Sequence, residues 1–212
     1  MSKEIWTYII LVALVLSLIA IGSSARTFHM VDNQIDYEPV QPIAYSHRLH
    51  AGELNINCQY CHFGAEQSRH AGIPAADVCM NCHKFVTASA GAVKVEETKA
   101  TEESREPLPV ISDELAKLYG ALGLGDNMER DPLKNTAPIE WVKVHNLPDY
   151  VYFDHRSHVN VGVDCQTCHG NVEAMERVRQ AEDLSMGWCV NCHRQASETG
   201  IKGKAVNPST SC

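Results

Sequence analysis

The chain opens with an uninterrupted apolar run over residues 5–21 that contains no charged side chain. As a helix these 17 residues would span about 26 Å, at the short end of what crosses a bilayer. Trp6 and Tyr8 lie near one end, where aromatic side chains favour the membrane interface. The alternative is a cleaved signal peptide that starts at Lys3 and ends in the small residues GSSA. Because the run is long for a signal peptide, we predict a transmembrane anchor over residues 1–25.

Beyond this anchor, the pattern of aromatic, polar and cysteine positions occurs twice. One block reads YSHRLHAGELNINCQYCH from residue 45 and reaches CMNCH at residue 79. The other reads FDHRSHVNVGVDCQTCH from residue 153 and reaches CVNCH at residue 189. Such internal similarity predicts a duplicated module. We assign the first module to residues 26–85 and the second to residues 136–212.

Residues 86–135, between the modules, have a different composition. The stretch KVEETKATEESREP is charged and lacks aromatic residues, which is typical of an exposed loop or insertion. The next stretch, SDELAKLYGALGLG, predicts one short amphipathic helix with Ser112 as its N-cap and Gly123 and Gly125 at its end. Strand signals are sparse elsewhere, so we predict mostly coil with short helices and little sheet.

The composition indicates that side chains alone provide little core. The apolar fraction is 44%, but much of it lies in the N-terminal run, and only four Phe and three Trp are present. The formal net charge of −8 argues against nucleic acid as a partner, because no basic stripe is available to neutralise phosphates. We therefore expect something other than side chains to organise the interior.

Eight of the nine cysteines occur in four copies of Cys-x-x-Cys-His, which is the attachment sequence for c-type haem. We number these motifs 1 to 4 in chain order: residues 58–62, 79–83, 165–169 and 189–193. The two thiols form thioethers to one macrocycle, and the adjacent histidine binds its iron as proximal ligand. The predicted attachment residues are Cys58, Cys61, Cys79, Cys82, Cys165, Cys168, Cys189 and Cys192. The predicted proximal ligands are His62, His83, His169 and His193.

The sequence therefore predicts four haem c groups, a core organised by these cofactors, and an electron-transfer protein that is not itself an enzyme. Zinc is the main alternative, because the gaps of 17 residues from Cys61 to Cys79 and 20 residues from Cys168 to Cys189 also suit a zinc ribbon. A Cys₄ zinc site, like an iron–sulfur cluster, would leave unexplained why a histidine follows each cysteine pair.

The remaining histidines include candidates for the sixth ligand of each iron. His47 and His50, like His155 and His158, are spaced i, i+3, so a helical turn presents both rings to one side. Each pair precedes the first motif of its module and could serve two irons. The alternative is that one member of each pair lies at the surface or binds a propionate. Weaker candidates are His145, His70, Met186 and Met175, and a methionine ligand would raise the potential of its haem.

Cys212 ends the sequence as a single thiol outside the four motifs. One hypothesis is that it is the first cysteine of a fifth attachment motif, which would mean that the second module is truncated and a fifth haem is present in the mature protein. The alternative is a free or intermolecular thiol.

The position of the charges near the first helix predicts the location of the haem-binding part. Lys3 and the amino terminus favour a cytoplasmic N-terminus, which places residues 26–212 on the other side of the membrane. Covalent haem attachment takes place on that side in bacteria. We therefore expect a single-pass protein of the bacterial inner membrane with its haem domain in the periplasm.

The strings SHRLHAGELNINCQYCH, VCMNCHK, IEWVKVHNLPDYVYFDHRSH and MGWCVNCHR carry a family resemblance over nearly the whole chain except residues 86–135. Together with the N-terminal anchor, the chain resembles the pentahaem membrane-bound cytochrome c subunit of bacterial alternative complex III. This resemblance implies a haem wire that passes electrons from quinol to a periplasmic cytochrome or oxidase. It implies as partners an iron–sulfur protein, integral membrane subunits that oxidise menaquinol, and a monohaem cytochrome c. The family has five haems, one more than the complete motifs here.

Two other functions are compatible with several haem motifs. One is a tetrahaem quinol dehydrogenase of the NapC/NrfH type, which also has one N-terminal anchor. In that group a methionine typically stands two residues after the histidine of the first motif, whereas here Phe63 and Gly64 follow His62. The other is a catalytic multihaem reductase, which must leave one iron open to substrate, often with a lysine in place of the proximal histidine. All four motifs end in histidine, which argues against that function.

Overall fold

A computed structural model describes residues 3–27, 34–125 and 127–211 of the chain. Within these residues the chain forms helices joined by coil, and the only β-pairing consists of the isolated bridges Leu124 with Arg130 and Ile201 with Lys204. This confirms the predicted fold class: one N-terminal apolar helix, then helix and coil without a sheet. The helices are α1 (Lys3–Thr27), a π-helix (Arg48–Glu53), α2 (Cys58–Cys61), a 3₁₀-helix (Phe63–Ala65), α3 (Ala76–His83), α4 (Ala90–Glu102), α5 (Asp113–Leu122), α6 (His155–Val161), α7 (Gln166–His169), a second 3₁₀-helix (Val172–Ala174) and α8 (Met186–Thr199).

Helix α1 is apolar on all sides. Its segment Lys3–Ser23 has 21 residues, about 31 Å of helix, against an apolar bilayer interior of about 30 Å. None of this segment is buried against the rest of the chain. A helix that is apolar all round and unburied in its own protein suits a bilayer; an N-terminal signal sequence can also form an apolar helix.

The core formed by side chains is small. In the described part of the chain only seven residues are buried: Ala65, Ala100, Leu118, Tyr119, Gly123, Ala196 and the polar Gln180. Among these described residues no large aliphatic core links the modules, so their arrangement depends on backbone and polar contacts.

The buried amide of Gln180 shows how such a contact works. Its Oε1 accepts from the backbone N–H of Asn146 at 3.2 Å, and its Nε2 donates to the carbonyl of Glu182 at 3.0 Å. Its backbone also exchanges hydrogen bonds with the segment of Asp36 and Tyr37. Because a buried amide is costly unless it is fully hydrogen-bonded, this residue fixes the chain after α1 against the second module.

The insertion differs from its expected loop character, because helix α4 covers most of the charged stretch. Ser89 caps the helix by accepting from the N–H of Ala92 at 3.3 Å. Glu, Lys and Ala are good helix formers, and Lys99 pairs with Glu103 one turn later. The stretch is still largely exposed, with only Ala100 buried. Local propensity therefore forms this helix without the apolar stripe that would have marked it in the sequence.

The amphipathic helix expected after Ser112 is present as α5. Ser112 accepts from the N–H of Leu115 at 3.3 Å, and Gly123 ends the helix in the left-handed region with φ of 64°. Its buried Tyr119 donates from its hydroxyl to the carbonyl of His83 at 2.6 Å. The insertion is thereby attached to motif 2.

Candidate functional site

Each Cys-x-x-Cys-His motif lies on a helical turn. Motif 1 forms α2, motif 2 ends α3, motif 3 forms the single turn α7, and motif 4 lies within α8. Side-chain caps begin two of these turns: Asn57 accepts from the N–H of Gln59 before motif 1, and Ser185 accepts from the N–H of Trp188 before motif 4. Helical spacing places both cysteines and the histidine of one motif towards the same side. This is the arrangement that one macrocycle requires from its attachment residues.

Three of the four motif histidines face a second histidine at nearly constant spacing. The ring-centre distances are 6.1 Å for His50 and His83, 6.4 Å for His155 and His169, and 6.0 Å for His158 and His193. An imidazole nitrogen binds a transition metal at about 2 Å and lies about 1.1 Å from its ring centre, so two rings on opposite sides of one metal have centres about 6.2 Å apart. The three pairs therefore fit one iron between each pair of rings.

The fourth motif histidine, His62, neighbours His47. Burial, and after it the charge of the nearby His62, lower the pKa of His47 to about 4. Each of the two i, i+3 pairs is thus divided between two motifs. His47 lies by motif 1 and His50 by motif 2, while His155 faces motif 3 and His158 faces motif 4.

The backbone fixes the tautomer of most of these histidines. For six of them the Nδ1 atom lies 2.5 to 3.0 Å from a carbonyl oxygen: His50 with Ser46, His62 with Gly72, His83 with Val86, His155 with Arg69, His158 with Asp154 and His193 with Ser209. A carbonyl only accepts, so Nδ1 must carry the proton. The Nε2 lone pair is then left for a metal, as in most histidine-ligated metal sites.

Two ring nitrogens depart from this rule. The Nδ1 of His169 lies 3.1 Å from Nε2 of His145, so a second imidazole takes the place of the carbonyl. Burial, and after it the charge of the neighbouring His145, lower the pKa of His169 to about 3, which keeps the ring neutral as a ligand must be. The Nδ1 of His47 is buried and has no hydrogen-bond partner within the described residues.

The four weaker ligand candidates are placed differently from the histidines that face the motifs. His145 contacts the side of the His169 ring, with centres 4.4 Å apart and the planes at 82°, and does not face it at the spacing of the three pairs. His70 is exposed, and within the described residues no ring contact joins it to another histidine. Met175 uses its carbonyl to accept from the N–H of Arg48 at 2.9 Å. Met186 is exposed at the start of α8.

Seven of the motif cysteines carry free thiols: Cys58, Cys61, Cys79, Cys82, Cys165, Cys168 and Cys192. A disulfide framework therefore does not account for the cysteine content. Burial raises the pKa of Cys168 to about 11, which keeps the thiol protonated and does not suit a catalytic nucleophile. Cys212 lies outside the described residues.

The donor set fits haem c better than zinc. In the described residues no three or more His, Cys, Asp or Glu side chains come together as ligands of one metal ion, as a Cys₄ zinc site would require. Each motif instead offers two thiols and one neutral imidazole, with a second imidazole nearby. These are the groups that tether and ligate one c-type haem.

Two aromatic residues contribute to the site without having been assigned a role from the sequence. Tyr45 stacks on His50 with centres 4.4 Å apart and meets His47 edge-on at 4.8 Å. Phe153 stacks on His158 at 4.7 Å and meets His155 edge-on at 4.8 Å. The signal was present in the sequence, since both modules open with an aromatic residue two positions before the first histidine.

Two comparisons with known proteins agree with this chemistry. Residues 151–212, which contain motifs 3 and 4, match the family model of cytochrome c7 and related cytochrome c. The chain is also similar to the menaquinone reductase, multihaem cytochrome c subunit, of Nitratidesulfovibrio vulgaris. The two are 22% identical over 192 residues, covering 81% of this chain and 74% of that protein. Together with the four motifs, these matches indicate a multihaem c-type cytochrome that transfers electrons.

Proposed function

We propose that the chain is the membrane-anchored haem wire of a quinol-oxidising complex of the alternative complex III type. The observation that carries the electron-transfer part is the second histidine at each motif: three face the motif histidine at 6.0 to 6.4 Å, and His47 neighbours the fourth. When bound, a haem with two imidazole ligands supplies a one-electron ferric–ferrous couple. With an imidazole from the motif and a second one opposite it, a bound haem iron would have both ligands supplied by the chain and would keep no place for a substrate.

The residues of the chain have three separate tasks in this function. The paired cysteines tether each macrocycle, so the haem stays bound in either oxidation state. The motif histidines and their opposing partners supply neutral Nε2 ligands. The backbone carbonyls, such as those of Gly72 and Val86, hold the rings in orientation and tautomer by accepting from Nδ1.

The quinol link rests on two further observations. Helix α1 has the length and composition of a membrane span, which would hold the haem domain beside a membrane complex. The relative from Nitratidesulfovibrio vulgaris is the multihaem cytochrome c subunit of a menaquinone reductase, which supports a link between such a subunit and quinone chemistry. For this chain we propose a bacterial inner-membrane location with the haem domain in the periplasm. The proposed partners are an iron–sulfur protein, integral quinol-binding subunits and a monohaem cytochrome c.

The proposal is tested by purifying the native protein from membranes in mild detergent. We expect co-purifying subunits of the proposed kinds, and a menaquinol analogue should reduce the haems of the intact complex but not those of the separated chain. Reduction of the separated chain would contradict the subunit role and favour a self-contained quinol dehydrogenase. The absence of covalent haem from the chain's intact mass would contradict the electron-transfer function itself.

A further inference from the structure

We infer that the four haem sites follow one another in space in the order 2–1–3–4, which differs from their order along the chain. Sites 1 and 3 would then meet at the boundary between the modules, and sites 2 and 4 would be the outer ends. This inference rests on the proposed function, because it concerns the path that electrons take through the same four sites. It is carried by contacts within each module and by a reciprocal contact between the modules.

Within each module, one turn of chain serves two sites. We call residues 46–50 the first histidine turn and residues 154–158 the second histidine turn. His47 neighbours motif 1 and His50 faces motif 2 from the same turn, so sites 1 and 2 must be adjacent. Motif residues also join these sites directly, since Asn81 donates to the Tyr60 hydroxyl at 3.0 Å.

The same logic applies to the second module. His155 and His158 face motifs 3 and 4 from the second histidine turn. Sites 3 and 4 are therefore neighbours as well. What remains to be decided is which site of each module meets the other module.

The modules meet through a reciprocal exchange of backbone contacts. The π-helix Arg48–Glu53 packs against the 3₁₀-helix Val172–Ala174, which begins three residues after the histidine of motif 3. In return, α6 (His155–Val161) packs against the 3₁₀-helix Phe63–Ala65, which directly follows motif 1. Each histidine turn thus lies on the segment that follows the first motif of the other module.

Hydrogen bonds at the two contacts repeat the same scheme. The N–H of Arg48 donates to the carbonyl of Met175 at 2.9 Å, and the N–H of His155 donates to the carbonyl of Arg69 at 3.2 Å. These acceptors stand six and seven residues after the histidines of motifs 3 and 1. Motifs 1 and 3 are therefore the inner pair, and their thiols Cys58 and Cys165 are close enough to interact.

Motifs 2 and 4 contact segments outside this central exchange. His83 of motif 2 accepts from Tyr119 of the insertion, and α3 packs against α5. His193 of motif 4 donates from Nδ1 to Ser209, near the end of the described chain. An electron that crosses between modules therefore passes through sites 1 and 3. Sites 2 and 4 are where the external donor and acceptor are to be sought among the four complete motifs.

The order is tested by removing one haem at a time from the first module of the intact holoprotein. The variants C58S/C61S and C79S/C82S each remove the attachment thiols of one site, and intact mass confirms that one haem is missing. The measurement is electron paramagnetic resonance of the oxidised protein, in which neighbouring haems broaden and shift each other's signals.

We expect loss of site 1 to change the signals of two remaining haems and loss of site 2 to change only one. The order 1–2–3–4 predicts the opposite counts, and that result, or equal counts for the two variants, would overturn the inference. Intact mass of the unaltered chain without any haem would instead contradict the proposed function, so the two failures are distinguishable.

A second pair of variants retains all four haems in case the first pair does not fold. H47M and H50M each replace one opposing imidazole by a thioether, which raises the potential of that site. A redox titration that monitors the spectral signal of each haem then shows which neighbouring haems change their reduction potential. The inference requires that H47M change the reduction potentials of two neighbouring haems and that H50M change the potential of one. It fails if H50M changes the potentials of two.

Discussion

The two histidine turns share one geometry but differ in how they are held. In the first, Tyr45 meets His47 at 4.8 Å and His50 at 4.4 Å, and in the second Phe153 meets its two histidines at 4.8 and 4.7 Å. The last histidine of each turn places its Nδ1 against the carbonyl four residues earlier, at 2.8 Å in the first and 3.0 Å in the second. These shared contacts orient the rings that face the motifs.

The difference lies in the first histidine of each turn. The Nδ1 of His155 donates to the carbonyl of Arg69 at 3.0 Å, whereas the Nδ1 of His47 is buried without a partner in the described part of the chain. The cause is that the two histidine turns pack against the opposite module in registers that differ by one residue. The backbone contact is made by His155 itself in the second turn but by the next residue, Arg48, in the first.

The helices that continue the two turns differ as well. The second begins with Asp154, whose carboxylate accepts from the N–H of Arg156, and ends at Gly162 with φ of 99°. The first continues as a π-helix, a form that occurs often at functional sites and lets one extra residue enter the turn. Ring stacking and one carbonyl contact therefore suffice to place both opposing histidines, and a hydrogen bond that fixes the tautomer of the first histidine is optional.

The largest expected effect follows from removing an opposing histidine. His47→Ala and His155→Ala should each convert one haem from low-spin to high-spin, because each removes the proposed second imidazole of that haem, and the ring contacts of the described residues offer no replacement that faces the motif histidine. Carbon monoxide binding to the reduced protein should rise from none to about one per chain. A His70→Ala variant is the control and should stay fully low-spin, because that residue is exposed and makes no ring contact with another histidine within the described residues. Unchanged spin state in both histidine-turn variants would contradict the ligand assignment.

The next effect concerns the aromatic residues. Tyr45→Ala and Phe153→Ala each remove one stacked and one edge-on contact, and we expect each to lower the free energy of unfolding by about 3 kcal/mol. Denaturant titration followed by haem absorption measures this change.

The exchange variants Tyr45→Phe and Phe153→Tyr preserve the rings and serve as controls. Both should unfold within about 1 kcal/mol of the unaltered protein. If the exchange variants lose as much stability as the alanine variants, stacking is not what positions the turns.

A smaller effect is expected at the contact between the modules. A side chain at Gly52 would collide with the backbone carbonyl oxygen of Glu173, which cannot move aside easily. Gly52→Ala should therefore cost about 2 kcal/mol of unfolding free energy and loosen the docking of the first turn. Gly120→Ala is the matched control, since nothing lies within 4 Å of the added carbon in α5, and it should be neutral or stabilising by up to about 1 kcal/mol. Equal changes in unfolding free energy for the two variants would contradict the close approach of Gly52 to the Glu173 carbonyl.

The smallest effect concerns two arginine side chains, Arg69 and Arg48, one at each contact between the modules. Arg69 donates from Nε to the carbonyl of Phe153 at 2.9 Å and lies over the ring of Tyr152 at 4.3 Å. Arg69→Leu should cost about 1 kcal/mol, because a partly buried carbonyl loses its donor. Arg48, which pairs with Glu176 at the surface, should matter less when changed to leucine, and its effect should vanish in high salt. An Arg48 effect that exceeds that of Arg69 in 0.5 M salt, about three times physiological ionic strength, would contradict this ranking.

The features that the sequence predicts best are those specified by local signals. Ser112 and Gly123 mark the ends of α5 because a side-chain cap and a left-handed residue leave local traces in the sequence. The motifs and the duplicated histidines were found in the same way. Helix α4 was missed because its residues favour a helix individually but form no apolar stripe.

The long-range partners could not be predicted from the sequence. The Nδ1 atoms of His62 and His193 meet carbonyls 10 and 16 residues away. Any residue can supply a carbonyl, so no residue type marks such a partner. The assignment of His50 to motif 2, and the exchange of contacts between modules, depend on the path of the whole chain. Arg69 reaches Phe153 across 84 positions, and only the fold brings them together.

The central claim is that two imidazoles hold each covalently tethered iron. It is tested most directly by low-temperature electron paramagnetic resonance of the air-oxidised, intact protein, with near-infrared magnetic circular dichroism on the same sample. We expect low-spin haem alone, with the charge-transfer bands of bis-histidine ligation for every complete motif. A high-spin component that binds added nitrite, or a methionine charge-transfer band from any of the four sites, would contradict it.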